Sequence, residues 1–366
     1  MDALTTPSNW QKVRLGDILS YEQPTKFLVA TTQYLQKGFT PILTAGKTFI
    51  LGYTNDKHGI YTNIPVIIFD DFTTDSKMVN FPFKVKSSAI KILSLRDNNQ
   101  ADLKYIYEKL TLLKHQVTDH KRYWIDEFSN IEILLPPLNE QIAIANILSG
   151  LDHYLCSLDA LILKKEGVKK ALSFELLSQR KRLKGFNQAW QKVRLGDILS
   201  YEQPTKFLVA TTQYLQKGFT PILTAGKTFI LGYTNDKHGI YTNIPVIIFD
   251  DFTTDSKMVN FPFKVKSSAI KILSLRDNNQ ADLKYIYEKL TLLKHQVTDH
   301  KRYWIDEFSN IEILLPPLNE QIAIANILSG LDSEIISLKN KKRQFENIKK
   351  ALNHDLMSAK IRVLNK

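Results

Sequence analysis

The fold is decided by a stretch at residues 135–152, which reads LPPLNEQIAIANILSGLD. Two prolines end a short apolar run, because proline has no backbone N–H to donate to a sheet or to a helix interior. Apolar residues then follow at steps of three and four, the spacing of an amphipathic helix. Asn139 is predicted to cap this helix, and Glu140 lies at the positive end of its dipole. The stretch therefore marks the point where a globular part ends and a long helix begins.

The same stretch occurs again at residues 315–332, as part of a much longer repeat. Residues 10–152 and 190–332 are identical over 143 positions at an offset of 180. Such identity indicates a recent duplication, a recombination event or deliberate engineering. Because identical sequences fold alike, the 366 residues are predicted to form one unit used twice, with pseudo-twofold symmetry.

The charge is distributed unevenly along the chain. The formal net charge is +12, which suggests a polyanionic partner. Each repeat has a net charge of only +1, whereas residues 153–189 carry +5 and residues 333–366 carry +6. The basic excess is thus concentrated in the two segments that follow the repeats. These segments are expected to face either DNA or the acidic surface of a partner protein.

Several compositional features point to a cytoplasmic protein. The chain has no uncharged apolar run long enough to cross a membrane. The first ten residues lack the basic start and apolar core of a secretory signal. Cys156 is the single cysteine, so an internal disulfide is excluded and a reducing compartment is expected.

Each repeat is predicted to be a mixed α+β globule. Its strands are expected in four runs rich in β-branched and aromatic residues, FTPILTA, TFILGY, IPVIIFD and FPFKVKSSAIKIL, between residues 39 and 93. Asp102 is expected to cap a helix over residues 102–115, and IEILL at 131–135 reads as a last strand.

After each globule the period changes to that of a heptad-like seam, in a helix of about 45 residues. The seam residues are Ile144, Leu148, Leu151, Leu155, Leu158, Ile162, Val168, Leu172 and Leu176, and then Ile324, Leu328, Leu331, Ile335, Leu338, Phe345, Ile348, Leu352 and Leu356. Both tails also share Lys-Lys-Ala-Leu in register, at 169–172 and 349–352.

The chain order predicts how the helices pair. The first helix must lead from one globule to the other, so a second helix packed beside it must run back, antiparallel. The alternative is that each tail pairs with another chain. The predicted domains are a globule at 1–138, a helix at 139–185, a globule at 186–318 and a helix at 319–366.

Enzyme signatures are weak. Residues 44–48 resemble the end of a phosphate-binding P-loop, but Pro41 stands where that loop requires glycine. No Gly-x-Gly-x-x-Gly fingerprint is present, so no nucleotide cofactor is indicated. Asp70, Asp71 and Asp75 resemble a metal-nuclease site only faintly, and a solvated acidic turn is the preferred interpretation. His115, Asp119 and His120 lack a further convergent ligand. We therefore interpret them as polar residues on the surface rather than as metal ligands.

Signals for nucleic-acid binding are better. Four loops mix cations, hydroxyls and aromatic side chains, which suit phosphates and base edges, although plain surface polarity remains an open interpretation for any one residue. The candidate DNA-contacting residues are Lys26, Tyr53, Lys57, His58, Thr73, Thr74, Lys77, Lys86, Ser87, Ser88, Lys121 and Arg122, with Lys206, Tyr233, Lys237, His238, Thr253, Thr254, Lys257, Lys266, Ser267, Ser268, Lys301 and Arg302 in the second copy.

Two duplicated elements carry a resemblance to a known family. Trp-x-x-Val-x-Leu-Gly-Asp-Ile opens each globule, and Leu-Pro-Pro-Leu-x-Glu-Gln closes it. Together they resemble the DNA-specificity subunit of type I restriction–modification systems, and the resemblance covers essentially the whole chain. The run at 66–71 followed by Lys-x-Val-x-Phe-Pro-Phe at 77–83 also resembles a target-recognition domain. The corresponding helix-junction residues are Pro136, Pro137, Glu140 and Gln141, and Pro316, Pro317, Glu320 and Gln321.

The resemblance implies a non-catalytic chain with two target-recognition domains and two antiparallel spacer helices. Each domain of such a subunit reads one half of a bipartite site in double-stranded DNA. Two modification subunits dock on it, bind S-adenosylmethionine and methylate adenine, and a restriction subunit, where present, uses ATP and Mg²⁺. The chain itself is expected to bind no cofactor and no metal. Its departure from the family is that the two domains are identical, so the target is predicted to be an interrupted palindrome.

The sequence leaves two other classes of function open, a self-contained nuclease and a structural scaffold. A self-contained nuclease would cleave DNA when Mg²⁺ is added to the pure protein. A structural scaffold, in which the helices bridge identical modules, would not shift genomic DNA fragments in a gel.

Overall fold

The computed structural model describes residues 7–30, 32–46, 48–113, 122–210, 213–225, 228–293 and 302–363. In the first copy the elements are β1 (Gln11–Arg14), α1 (Leu15–Ile18), β2 (Leu19–Glu22), β3 (Thr40–Leu43), β4 (Ile50–Thr54), β5 (Val66–Asp70), β6 (Ser76–Val79), β7 (Lys84–Val85), β8 (Ile90–Leu95), α2 (Leu103–Leu112), β9 (Glu132–Leu135) and α3 (Leu138–Leu177). In the second they are β10 (Gln191–Arg194), α4 (Leu195–Ile198), β11 (Leu199–Glu202), β12 (Thr220–Leu223), β13 (Ile230–Thr234), β14 (Val246–Asp250), β15 (Ser256–Val259), β16 (Lys264–Val265), β17 (Ile270–Leu275), α5 (Leu283–Leu292), β18 (Glu312–Leu315) and α6 (Leu318–Met357).

Among the residues that the structure describes, each globule has three small sheets. A four-stranded antiparallel sheet has the order β2-β8-β5-β6, and a three-stranded sheet has the order β4-β3-β7, with β3 and β7 parallel. The first and last strands, β1 and β9, pair antiparallel and so join the two ends of the repeat. The second copy repeats this topology, and the mixed α+β prediction is confirmed.

Strand β5 is the centre of the globule because both of its faces are buried. Its side chains alternate between two hydrophobic clusters, Ile67 and Phe69 in one and Val66 and Ile68 in the other. A strand that is covered on both sides reads as an unbroken apolar run, which is how IPVIIFD predicted it. The run FPFKVKSSAIKIL instead divides into β7 and β8, since the Ser87 hydroxyl accepts a hydrogen bond from Ala89 N and forms a turn between them.

The helix boundaries follow from local capping. Asp102 caps α2 as predicted, because its carboxylate accepts a hydrogen bond from Tyr105 N at 2.8 Å. The prediction that Asn139 caps α3 was wrong by two residues, because the cap position is Pro137. The helix begins at Leu138, and Asn139 lies in its first turn, with its side chain accepting from Glu140 N.

The long helices have 40 residues each, fewer than the roughly 45 expected. Two residues after the end of each helix stands a residue with positive φ. This residue is Gln179 (64°) after Leu177 and Ala359 (59°) after Met357. Beyond each of these residues a backbone amide turns back to the last helical turn, Lys181 N to Glu175 O in the first tail. A residue in the left-handed conformation turns the chain so that the amides after it donate to the free carbonyls at the end of the helix.

The described residues divide into two compact units, 1–159 with 340–366, and 160–339. Each unit contains one globule, the first half of the helix that leaves it and the second half of the other helix. In the first unit Leu356 and Met357 lie in the globule's core, and in the second Leu176 and Leu177 take the same places.

The helical segments pair antiparallel within each unit. In the first, the rings of Tyr154 and Phe345 are 4.6 Å apart and Lys342 pairs with Asp159 at 2.7 Å. In the second, Lys339 pairs with Glu166 at 2.6 Å. These contacts confirm the predicted antiparallel pairing within one chain.

The predicted seam is only partly correct. Ile144, Leu148, Leu158 and Ile162 are buried, but Val168 is 41% exposed. The step from Ile162 to Val168 is six residues, which is neither three nor four, so Val168 is rotated off the packed face. Ile348, at the same register in the second tail, is also exposed.

Candidate nucleic-acid interface

A buried lysine organises the loop at residues 54–59. Lys84 lies on β7, is 5% exposed, and donates from Nζ to Asp56 Oδ2 and to His58 O, each at 2.6 Å. The hydrogen bond from Lys84 is the main reason that the pKa of Asp56 lies below its ordinary value. The side chain of Asp56 also accepts from His58 N. Lys84 therefore holds the loop against β7, and Lys57 and His58 are exposed on its surface.

Lys26 lies beside the loop at residues 54–59, because its backbone carbonyl closely approaches Gly59. Gly59 has a φ of +59°, and a Cβ there would lie 2.8 Å from Lys26 O. Only glycine fits both the dihedral angle and the space. Lys26, Lys57 and His58 thus share one end of the small sheet, and we refer to these three residues as the loop surface.

A second group of candidates is gathered around Asp71. Its backbone N donates to Ala89 O, its backbone O accepts from Tyr123 N, and its Oδ1 accepts from Trp124 N at 2.7 Å. The turn after β5, the Ser87-Ser88 turn and the segment beginning at Arg122 are therefore tied together at one residue.

The interpretation as a solvated acidic turn was wrong for Asp70 and Asp71, which are buried, whereas Asp75 is exposed. Asp70 is 5% exposed and accepts from Phe72 N and from the Thr73 hydroxyl. Asp71 is fully buried, and its Oδ2 lies 3.3 Å from Nζ of Lys91, which is also fully buried. Neither Asp71 Oδ2 nor Lys91 Nζ has a hydrogen-bond partner among the described residues. The buried carboxylates of Asp70 and Asp71 thus stabilise the turn through their hydrogen bonds.

The structure places most of the candidate residues on the surface. Exposed are Lys26, Lys57, His58, Thr73, Lys77, Ser88 and Arg122, and half-buried are Tyr53, Thr74, Lys86 and Ser87. The second copy shows the same pattern at the corresponding positions. Lys121 and Lys301 lie outside the described residues, as do His115, Asp119 and His120. Lys77 sits 5.1 Å from the centre of the Phe49 ring, so its charge is placed against the β3–β4 loop.

The neighbours of Arg122 are structural. Tyr123 and Trp124 are buried in the core, where Trp124 packs edge-on against Phe69 at 5.2 Å. The three residues are adjacent in the sequence, but of this tripeptide only Arg122 is exposed.

The closing motif of each repeat is explained by a set of buried hydrogen bonds. Gln141 Nε2 donates to Pro136 O at 2.8 Å, and its Oε1 accepts from Asp102 N at 2.9 Å. Glu140 is 2% exposed and accepts from Trp10 Nε1 at 3.2 Å. The residues that open and close the repeat thus bind one another, and Glu320 and Trp190 do the same in the second unit.

The basic tails complete these junctions. Arg362 donates to both carboxylate oxygens of Glu140, at 2.6 and 2.9 Å, and Arg182 does so to Glu320, at 3.1 and 2.6 Å. A two-point contact of this kind is the strongest form of ion pair in proteins. The role of these arginines was not predicted, although they stand in register at an offset of 180.

A four-charge cluster lies beside each junction. In the first unit Lys349 and Lys104 each donate to Asp152 at 2.6 Å and also contact Glu108. Burial alone would raise the pKa of Asp152, but the hydrogen bonds from the two lysines outweigh it and lower the pKa. Lys169, Lys284, Glu288 and Asp332 form the same cluster in the second unit. This contact accounts for the first lysine of the shared Lys-Lys-Ala-Leu sequence, Lys169 or Lys349.

Two findings concern other classes of protein. No helix of the described residues is long and apolar enough to cross a membrane. Within the same residues, no group of three or more His, Cys, Asp or Glu side chains is placed to hold a metal ion.

Two identical α+β globules, each closed by the same junction and followed by a long helix, define a class of protein. Residues 7–165 and 187–347 each match the type I restriction modification DNA specificity domain. The chain belongs to this family and carries the domain twice.

Relatives support the assignment. The chain is 52% identical over 172 residues to the type I restriction enzyme EcoR124I/EcoR124II specificity subunit of Escherichia coli, a match covering 46% of this chain and 41% of that one. It therefore spans less than half the length of this curated relative. It is 23% identical over 414 residues to the MjaVIII specificity subunit of Methanocaldococcus jannaschii, covering 100% and 96%.

Solved structures share the fold. The S subunit of a type I restriction–modification system from M. genitalium superposes with a TM-score of 0.71 at 18% identity, covering 97% of both chains. A chain from a structure of type I restriction–modification complex assembly and conformational transition matches with a TM-score of 0.52 at 14% identity, covering 97% of this chain and 99% of that one.

Proposed function

We propose that this chain is the DNA-reading subunit of a type I restriction–modification complex and that it is not itself catalytic. Each globule would read one half of a bipartite site in double-stranded DNA. The observation that carries the proposal is that the family's domain occurs twice here with the same exposed cations and hydroxyls, from Lys26 to Arg122 and from Lys206 to Arg302.

The chemistry of these side chains suits a duplex. Exposed lysines and arginines neutralise phosphates and fix the register of the protein on DNA, while hydroxyls and Arg can reach base edges. Asp56, the acid beside Lys57, is neutralised by Lys84, so the loop surface is cationic. Specificity would come from Ser88 and Arg122, which belong to the group gathered around Asp71.

The partners follow from the family and belong to the proposal. Two methyltransferase subunits, with S-adenosylmethionine bound to them, would be positioned on this chain to methylate adenine, which requires the base to leave the stack. Restriction subunits, where present, would supply ATP- and Mg²⁺-dependent cleavage. This chain would hold neither cofactor.

Mapping of methylated sites tests the proposal. The chain is co-expressed with the methyltransferase subunits of a type I system, and methylated adenines are located across the host genome. We expect one half-site sequence to occur on both strands, separated by a constant gap, because the two readers are identical. Two unrelated half-sites would contradict this arrangement.

A second measurement separates the proposal from a self-contained nuclease. The purified chain is incubated with plasmid DNA and Mg²⁺, and the expected result is binding without cleavage. Cleavage by the pure chain would overturn the non-catalytic assignment.

A further inference from the structure

We infer that Phe39, with its counterpart Phe219, is a DNA-contacting residue whose ring packs against a base step of the duplex. This inference rests on the proposed function and adds a residue that the candidate set did not contain. Phe39 is 89% exposed and Phe219 is 88% exposed, the highest values among the large apolar side chains that the structure describes.

The backbone on either side of Phe39 is fixed, so the exposure of the ring is not the result of a loose loop. Leu35 and Tyr53 exchange two backbone hydrogen bonds, each of 2.9 Å. Thr40, the next residue, already pairs with Thr54 in the sheet. Phe39 N donates to the Asn55 side chain at 3.2 Å. The residue is thus held between two paired segments.

Gly38 explains how the chain reaches this position. A Cβ at Gly38 would lie 2.8 Å from Tyr53 Cβ and 3.2 Å from Asn55 Oδ1. Only a residue without a side chain lets the segment approach the edge of β4 so closely. The close approach leaves the following ring, that of Phe39, directed away from the sheet and into solvent.

The charges around the ring identify the partner that would cover it. Asn55 and Asp56 stand in the same loop as Lys57 and His58, and Lys37 is exposed two positions before Phe39. Since Asp56 is neutralised by Lys84, the exposed charge near the ring is positive. An apolar ring that shares its part of the surface with the exposed Lys37 and Lys57 suits a polyanion with an apolar interior, which describes double-stranded DNA rather than an apolar protein groove.

Aromatic side chains contribute to DNA binding in a manner that charge cannot. They stack on bases or wedge between base pairs, and removal of one such ring weakens binding by about tenfold. A phenyl ring has no charge, so this loss does not depend on salt. Loss of a phosphate contact reduces the dependence of affinity on salt concentration.

The first experiment uses this difference. Affinity for a duplex that carries the mapped methylation site is measured at several salt concentrations for the wild-type chain and for Phe39→Ala/Phe219→Ala, in each case with the methyltransferase subunits bound. We expect a loss of about tenfold for each half-site and an unchanged salt slope. The unfolding temperature of the variant should equal that of the wild type, since the rings are almost fully exposed.

A fluorescent variant gives an independent measurement. The four tryptophans of the chain, Trp10, Trp124, Trp190 and Trp304, are all at most 9% exposed. Phe39→Trp therefore introduces an exposed reporter at the site, and stacking on a base should quench it when duplex is added. Ile142→Trp is the matched control, because Ile142 is 42% exposed on α3, outside the basic segment 153–189, and its replacement should stay unquenched.

Each outcome decides a different point. If the wild-type complex does not bind the duplex, the proposed function fails and the inference fails with it. If the wild type binds and the alanine variant binds equally well, the inference alone fails. If affinity falls together with the salt slope, the ring acts only by holding the lysines in place, and base contact is refuted.

Discussion

The buried pair Asp71–Lys91 gives the sharpest prediction about stability. Both side chains are fully buried, and Nζ and Oδ2 are 3.3 Å apart. Asp71→Asn keeps an oxygen to accept from Trp124 N, but it leaves the ammonium of Lys91 without a counter-charge. The Coulomb energy that is lost is roughly 5 kcal/mol at an effective dielectric constant of about 20. Removal of one partner from a buried pair costs about 3–5 kcal/mol in proteins.

This loss converts to a measurable change in unfolding temperature. For a unit of this size, about 1 kcal/mol corresponds to roughly 2–4 °C. Asp71→Asn/Asp251→Asn should therefore unfold about 6–20 °C below the wild type in scanning calorimetry. The additional change Lys91→Met/Lys271→Met should restore most of that loss, because no buried charge then remains.

Asp56→Asn/Asp236→Asn is the matched control. The Asp56 side chain is 48% exposed, and Lys84 keeps its hydrogen bond to His58 O, so this substitution is expected to lower the unfolding temperature less than Asp71→Asn does. The reasoning is refuted if both pairs of substitutions lower the unfolding temperature by the same small amount, since burial would then have no effect on the cost.

Three further predictions concern charge and assembly. The pKa of Asp152 is lowered in the folded protein, so its contribution to stability is present above its ordinary pKa and is lost as the pH falls below about 4; Asp152→Asn/Asp332→Asn should flatten the fall in unfolding free energy measured between pH 6 and 3. A fragment of residues 1–185 should form a dimer by light scattering, because the segment carrying Arg182 would find an identical junction on a second copy, and Arg182→Glu should leave it monomeric. Lys57→Ala/Lys237→Ala should lower the slope of log affinity against log salt by about 2, at about 0.9 per phosphate contact, and an unchanged slope would remove Lys57 from the interface.

The strands and helices were predictable because they depend on local patterns. The alternation of apolar residues and the Asp102 cap are properties of short segments, and the structure confirms both. The positions of the buried charges were not predictable. Lys84 pairs with an acid 28 residues earlier and Lys91 with one 20 residues earlier, and only the pairing of distant strands brings them together.

The candidate interface shows the same division. The sequence indicated which loops carry cations and hydroxyls, but not that Gly59 brings Lys26 beside residues 54–59. It also did not indicate that Tyr123 and Trp124 belong to the core. The outward ring of Phe39 had no sequence signal, because its exposure depends on the close approach that Gly38 allows.

The contacts of Glu140 and Glu320 have a consequence for inheritance. Each carboxylate is bound by a tryptophan from the start of its own globule and by an arginine from the end of a helix. All the parts of the joint other than that arginine lie inside the repeated sequence. A crossover with a different gene that carries the same ends would therefore exchange a whole globule and leave the joint intact. Under the proposed function, such an exchange would give a new DNA target without any change to the packing that holds the chain together.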